Sequence, residues 1–113
     1  MIIKGILIDS EERKVKPVEV ESDDIDQMHR LIKCECFTCV RFGSDFGSER
    51  SEMVYVDDNG LLNDPKRFFS VPGYLGWLAG NGLILGVDRR GESVSTELTV
   101  EQVESAVRFF AID

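Results

Sequence analysis

The sequence has no long apolar run. No stretch approaches the roughly 18 consecutive apolar residues that a membrane-spanning helix needs. The opening segment MIIKGILIDSEERK has only a short apolar run, which Lys4 interrupts and Asp9 closes, and no small-residue cleavage site follows it. A secretory signal peptide would need a longer apolar core and such a site. We therefore expect no membrane partner and a location in the cytoplasm.

Positive charge is also scarce. Lysine and arginine total 13 against 21 aspartate and glutamate residues, so the formal net charge is -8. Affinity for nucleic acid comes largely from lysine and arginine neutralising phosphates and releasing counterions. The composition therefore argues against direct nucleic-acid binding. An acidic surface can dock onto a basic cleft of a partner protein, or it can serve solubility alone.

Cysteine and histidine are few, at three and one. An odd number of cysteines without an export signal favours reduced thiols over disulfides. In CECFTC, strand alternation would point Cys36 and Cys39 to opposite faces, so they could not share a metal ion. We predict small buried cysteines, no metal and no cofactor. Because His29 lies on the polar side of its helix and nothing activates a particular cysteine, we also predict that the protein is not an enzyme.

With 113 residues and 42% hydrophobic composition, the chain is long enough for one compact domain, residues 1–113. Two segments, Ile2–Ile8 and Leu83–Val87, are apolar on both alternating faces, which is typical of central strands. Val15–Val20 also has a strand pattern. Because Pro17 cannot donate a hydrogen bond to a neighbouring strand, we place this strand at an edge or at a bulge.

Two helices are predicted. Ser22, followed by three aspartates, is expected to cap the first helix. The apolar side of that helix is predicted to consist of Ile25, Met28, Leu31 and Ile32. Thr99 and Gln102 have the spacing of a capping box at the start of the second helix. Its predicted buried face consists of Val100, Val103, Val107 and Phe110.

Strands are also predicted at 36–42 and 53–56, on either side of GSDFGS, which we interpret as a hairpin loop. In the turn VDDNG, Asn59 and Gly60 are expected to take positive φ, and DRRGE is expected to form another tight turn. The predicted fold is α+β in two layers. A mostly antiparallel sheet of about five strands carries two amphipathic helices on one face.

The segment KRFFSVPGYLGWLAGNG, residues 66–82, combines large aromatics with a proline and four glycines. Its aromatic residues either anchor a long connection in the core or line a binding loop. For the second case we predict five ligand- or partner-binding residues: Arg67, Phe69, Tyr74, Trp77 and Arg89. The first hypothesis is a protein partner, since aromatic residues and arginine dominate interface hot spots.

Two alternatives to a protein partner stay open. If the two arginines converge beside Tyr74 and Trp77, the site would suit a nucleotide or another small anionic ligand. A homodimer could form through the exposed edge strand near Pro17 or through an aromatic patch.

Three segments resemble a known family: VYVDDNG, FFSVPGYLGWLAGNGLILG and the closing residues 98–110. The pattern is a valine-rich strand, an acidic turn with Gly-Leu, a GY segment, an LAG turn and an LxLG strand. It resembles the domain-of-unknown-function family numbered 3846, over residues 2–110. CECFTC departs from the typical member in its number of cysteines.

The resemblance implies a small protein of bacteriophages, mobile elements or some bacteria, and it supplies no catalytic or binding residue. It implies an accessory protein that acts by binding a host or phage protein, for example to counter a host defence system. The alternative that it implies is a protein that sequesters a nucleotide signal. In a phage-encoded case the location would be the cytoplasm of the host cell.

Overall fold

The structure is a computed structural model that describes residues 1–43, 51–62 and 65–112. The elements in chain order are β1 (Ile2–Asp9), β2 (Lys14–Glu21), α1 (Ile25–Ile32), β3 (Phe37–Arg41), β4 (Ser51–Asp57), a 3-10 turn (Gly60–Leu62), β5 (Arg67–Ser70), β6 (Leu78–Ala79), β7 (Gly82–Val87), β8 (Ser93–Val94), α2 (Val100–Ala106) and β9 (Arg108–Ala111). The fold is α+β, and all strand pairs in the described residues are antiparallel.

In the described residues the main sheet has six strands in the order β2-β1-β7-β4-β3, with β8 paired to β7. Ile84 at the centre of β7 pairs with Ile6 of β1 on one side and with Val54 of β4 on the other. The interior positions predicted for β1 and β7 are confirmed, and so is the edge position predicted for β2 from Pro17. The predicted number of about five strands is one short, because β8 adds a short sixth strand.

The two helices pack against opposite faces of the main sheet. Met28 of α1 joins the buried cluster that contains Leu83, whereas Val103 of α2 joins the cluster that contains Ile84. Neighbouring residues of a strand point to opposite faces, so these clusters lie on opposite sides of β7. The predicted placement of both helices on one face therefore differs from the structure. The physical reason is that the central strands are apolar on both faces, and each face needs its own cover.

A second sheet of three strands, in the order β6-β5-β9, lies on the same side as α2. Phe69 of β5 and Leu78 of β6 point inward and join the cluster around Ile84. A Cβ atom built on Gly82 would lie 2.6 Å from Cζ of Phe69. The main sheet thus has a glycine, Gly82, at the point where the ring of Phe69 from the second sheet packs against it.

The chain after α2 is a strand, where the sequence predicted more helix. The helix ends at Ala106, Val107 is extended with φ -89° and ψ 139°, and Phe110 pairs with Phe68 of β5. Phe110 therefore does not belong to the helix face, although Val107 is buried as predicted. The physical reason is that aromatic residues favour strands and that β5 offers an edge to pair with. The predicted capping box of Thr99 and Gln102 is confirmed.

The start of α1 was predicted two residues too early. Asp24 is the N-cap, and its carboxylate accepts a hydrogen bond from the backbone N–H of Gln27 at 3.0 Å. Ser22 lies directly after β2, and its backbone N–H donates to the carbonyl of Met1, which continues the pairing of β1 and β2. Ile25 is exposed, so it does not belong to the buried side.

The turn VDDNG also differs from its prediction, since neither Asn59 nor Gly60 has positive φ. Local hydrogen bonds explain the difference. The carboxylate of Asp57 accepts a hydrogen bond from the backbone N–H of Asn59. The backbone N–H of Leu62 donates to the carbonyl of Asn59, and this bond closes a 3-10 turn. The DRRGE turn is confirmed, with Gly91 at φ 83°. GSDFGS lies outside the described residues except for Gly43.

Both helices are short, with eight residues in α1 and seven in α2. Among the residues that the structure describes, no helix has the length and apolar character to cross a membrane.

Candidate docking surface

The second sheet sorts the aromatic residues of residues 66–82 into inner and outer sets. Phe68 lies opposite Phe110, and Phe69 lies opposite Phe109. Successive residues of a strand point to opposite faces, so Phe68 and Phe110 point outward and Phe69 and Phe109 point to the core. Phe69 is 0% exposed. A surface ligand could not reach it, so its predicted binding role is replaced by a packing role against Gly82.

Trp77 lies on the outer side of this sheet and is held there by two rings. Its indole stacks on Phe110 with ring centroids 4.2 Å apart and an interplanar angle of 12°. It also contacts Phe68 at 5.3 Å with a tilt of 49°. Trp77 nevertheless remains 44% exposed. One face of the indole is therefore covered and the other is open to a binding partner, at little cost in side-chain entropy on binding.

The loop before Trp77 exposes two further large side chains, Tyr74 and Leu75, and Leu75 is 98% exposed. This loop is anchored to the end of β3, because the backbone N–H of Gly43 donates to the carbonyl of Pro72 at 2.8 Å. Gly73 has φ +85°, and a Cβ atom there would lie 2.8 Å from the carbonyl oxygen of Gly43. The exposed side chains thus extend from a loop with a defined backbone.

Strand β9 completes the outer surface. Arg108 and Ile112 are each two residues from Phe110, so they point to the same side of the strand, and both are exposed. No aspartate or glutamate occurs between residues 65 and 87 or between 108 and 112. In a chain with a net charge of -8, this surface is apolar with a basic residue at one side. We define the aromatic face as Trp77, Phe110 and Ile112 on the outer side of this sheet, together with the exposed Tyr74 and Leu75 of the loop that precedes Trp77.

Of the predicted site residues, Tyr74 and Trp77 lie on the aromatic face, whereas Arg67 and Arg89 do not converge beside them. The carbonyl of Arg67 accepts a hydrogen bond from the N–H of Gly80, just before β7. Arg89 lies in the turn that follows β7. Since a strand advances about 3.3 Å per residue, the six residues of β7 separate the two arginine backbones by about 20 Å. Arg67 instead lines a cavity at the start of β7.

Sequence reasoning missed the contribution of β9 to the aromatic face. The sequence pattern predicts Phe110 on the buried face of a helix and makes no prediction for Ile112. The segment RFFAI, residues 108–112, does contain a signal, since its aromatic residues favour a strand. The pairing with β5 could not be read from it, because a pairing partner far away in sequence leaves no local pattern.

The cysteines are more exposed than predicted. Cys36 and Cys39 are exposed, and only Cys34 packs against a buried cluster. Burial raises the pKa of Cys34 to about 11, and the nearby charges of Asp57 and Cys36 act in the same direction. Its thiol therefore stays protonated at neutral pH and is a poor nucleophile. Cys34 and Cys36 lie between α1 and β3, and Cys39 lies in β3 at the edge of the main sheet, so all three have less cover than in the predicted sheet interior.

His29 and the acidic residues form no evident metal centre in the described part of the chain, where no three His, Cys, Asp or Glu side chains are placed to hold an ion. His29 makes an edge-to-face contact with Phe37, with ring centroids 5.1 Å apart. The ring is thus half-buried against an aromatic neighbour on the α1 side of the sheet.

Comparison with known proteins gives a family. A family model described as Domain of unknown function (DUF3846) matches residues 3–111. No curated protein and no solved structure matches the chain. The match covers nearly all of the sequence and confirms the family to which the sequence motifs pointed.

Proposed function

This chain belongs to the DUF3846 family, and from its own surface we propose that it is a non-enzymatic binding protein that holds a protein partner on the aromatic face. The observation that carries the proposal is Trp77, stacked at 4.2 Å on Phe110 and still 44% exposed. Tryptophan is among the residues most enriched in interface hot spots. A ring that is already fixed in place loses little entropy when a partner covers it.

The surroundings of Trp77 indicate the chemistry of the partner. Leu75 and Ile112 add exposed apolar surface, and Arg108 is the charged residue of β9 on the same side. We propose a partner that places an apolar or aromatic side chain on the open face of the indole. A carboxylate of that partner then meets Arg108, and this charged pair at the rim orients the complex.

The family context extends the proposal to the setting in which binding takes place. We propose an accessory protein of phage or mobile-element type that acts in the cytoplasm of the host cell and interferes with a host or phage protein. The acidic remainder of the chain, at a net charge of -8, supports a partner with basic residues outside the contact area.

Site-specific photo-crosslinking in the source cells tests the proposal. A photoreactive amino acid at Leu75, beside Trp77, is expected to capture a defined protein. The same group at Leu62, which is also highly exposed but lies in the 3-10 turn, is the matched control. Trp77→Ala is expected to weaken the purified complex by about 30-fold in Kd, the loss of a hot spot of about 2 kcal/mol.

Two outcomes contradict the proposal. One is capture of the same proteins from positions 75 and 62. The other is an unchanged Kd for the Trp77→Ala variant while Leu62→Ala is equally neutral. Cross-links between two copies of the chain would instead support the homodimer hypothesis. Nucleotide capture by Arg67, Arg89, Tyr74 and Trp77 acting together has no geometric support, because the two arginines lie at opposite ends of β7.

A further inference from the structure

A cavity of about 350 Å³ opens on the side of the molecule where β1 ends and β7 begins. Ser10, which follows β1, and Asn81, which precedes β7, both line it. The cavity thus lies between the main sheet and the start of β5. Its size is at the lower end of the range for small-molecule sites.

Three cations line this cavity: Lys33, Lys66 and Arg67. Lys33 ends α1 in a left-handed conformation with φ 65°, and the other two lead into β5. Glu11 and Asp57 also line it, so the lining side chains of the described residues carry three positive and two negative charges. In a protein with a net charge of -8, this local balance favours a small anion over a polyphosphate.

Two buried polar side chains complete the cavity. The hydroxyl of Ser10 donates to the carbonyl of Gly80 at 2.5 Å, and the side-chain amide of Asn81 donates to the carbonyl of Leu31 at 3.3 Å. Asn81 is 5% exposed, and among the hydrogen bonds of the described residues its Oδ1 atom accepts none. A buried acceptor without a donor is costly. A ligand hydroxyl would satisfy it.

We propose that this cavity binds a small phosphate monoester that carries hydroxyl groups, the class of sugar phosphates and nucleoside monophosphates. The phosphate lies against Arg67 and Lys66, where a guanidinium offers paired donors to phosphate oxygens. A hydroxyl of the ligand donates to Oδ1 of Asn81. This site is separate from the aromatic face and goes beyond the proposed function.

Titration of the ¹⁵N-labelled protein with glucose 6-phosphate tests the inference, with glucose and inorganic phosphate as probes of the two halves of the ligand. We expect changes in the NMR chemical shifts of the backbone amide of Gly80 and of the backbone and side-chain amides of Asn81. Glucose 6-phosphate should bind at least about tenfold more tightly than either half. Absence of shifts at Gly80 and Asn81 up to about 10 mM of glucose 6-phosphate and of adenosine monophosphate overturns the inference.

Variants separate a built site from general charge attraction. Arg67→Ala is expected to weaken binding of glucose 6-phosphate by about tenfold or more, whereas Arg90→Ala, an exposed cation in the turn after β7, should change it less than about twofold. Equal weakening by both variants contradicts the proposed site. If Arg67→Ala disturbs the spectrum of the whole protein, Lys66→Ala provides the second comparison on the same wall of the cavity.

Discussion

Phe69 and Trp77 are large aromatic residues of one short segment with opposite roles. Phe69 is 0% exposed and fills the core, whereas Trp77 is 44% exposed on the outer side of the second sheet. Neither the residue type nor the neighbouring residues in the sequence distinguish these two roles. The difference comes from the alternation of β5 and β6, which points one side chain inward and the other outward.

Gly82 is the counterpart of Phe69 in the main sheet, and its substitution is our prediction at the residue scale. In Gly82→Ala the new Cβ atom would lie 2.6 Å from Cζ of Phe69 and 3.0 Å from Cγ1 of Val54. Overpacking of this kind should lower the free energy of unfolding by about 1–3 kcal/mol, measured by urea denaturation.

A double-mutant cycle provides the control for that prediction. Phe69→Leu shortens the side chain that meets the new methyl group, so the double variant should be more stable than the sum of the single effects by about 1 kcal/mol. Strictly additive effects would show that the contact between the ring and residue 82 is not what makes glycine necessary there.

At the scale of elements, the loop of residues 72–76 determines where the exposed aromatic residues stand. It is tied to the end of β3 through the hydrogen bond between Gly43 and Pro72. Gly73 meets two demands at once, a left-handed backbone and close contact with the carbonyl of Gly43. The second demand depends on Gly43, which follows a strand that is distant in sequence.

Gly73→Ala is the prediction at this scale, with Gly91→Ala as its matched control. Both glycines have similar positive φ, +85° and +83°, but a Cβ atom on Gly91 would meet nothing within 4 Å. Gly91→Ala should therefore cost only the dihedral strain, about 1 kcal/mol. Gly73→Ala should cost about 2–4 kcal/mol, since the contact with Gly43 adds to the strain.

The readouts are urea denaturation and the fluorescence of Trp77, the single tryptophan of the chain. Gly73→Ala is expected to shift the emission of Trp77 in the folded state, whereas Gly91→Ala should leave it unchanged. Equal losses of stability in the two variants would mean that the contact between Gly73 and Gly43 contributes nothing beyond the backbone angle.

The elements themselves were largely predictable from the sequence. β1, β7 and α2 have strong local signals: apolar faces at the strand period, and the capping box of Thr99. β9 was missed because its residues also fit a helical spacing. Only the pairing of Phe110 with Phe68, across the chain, decides that this segment is a strand.

At the scale of the whole molecule, the edge strands of the main sheet influence whether two copies of the chain can pair. β2 forms one edge, and it contains Pro17 and the exposed charges of Lys14 and Glu19. Proline and charged residues on an edge strand oppose pairing with a second copy. The net charge of -8 adds repulsion between copies.

We therefore predict that the purified chain is monomeric in static light scattering across a dilution series at moderate salt. Trp77→Ala is the comparison variant, because the aromatic face is the other surface through which two copies could join. A dimer mass that persists on dilution would contradict the prediction. If Trp77→Ala then restored the monomer, the aromatic face would be a self-association surface.

The sequence by itself determined the family, the α+β class, the central strands and the capped second helix, because each depends on residues close together in the chain. The tertiary structure alone decided which aromatic residues face outward, how far Arg67 lies from Arg89, and that the helices take opposite faces. The physical reason is that strand order and direction bring distant residues together or keep them apart, and no local spacing records that choice.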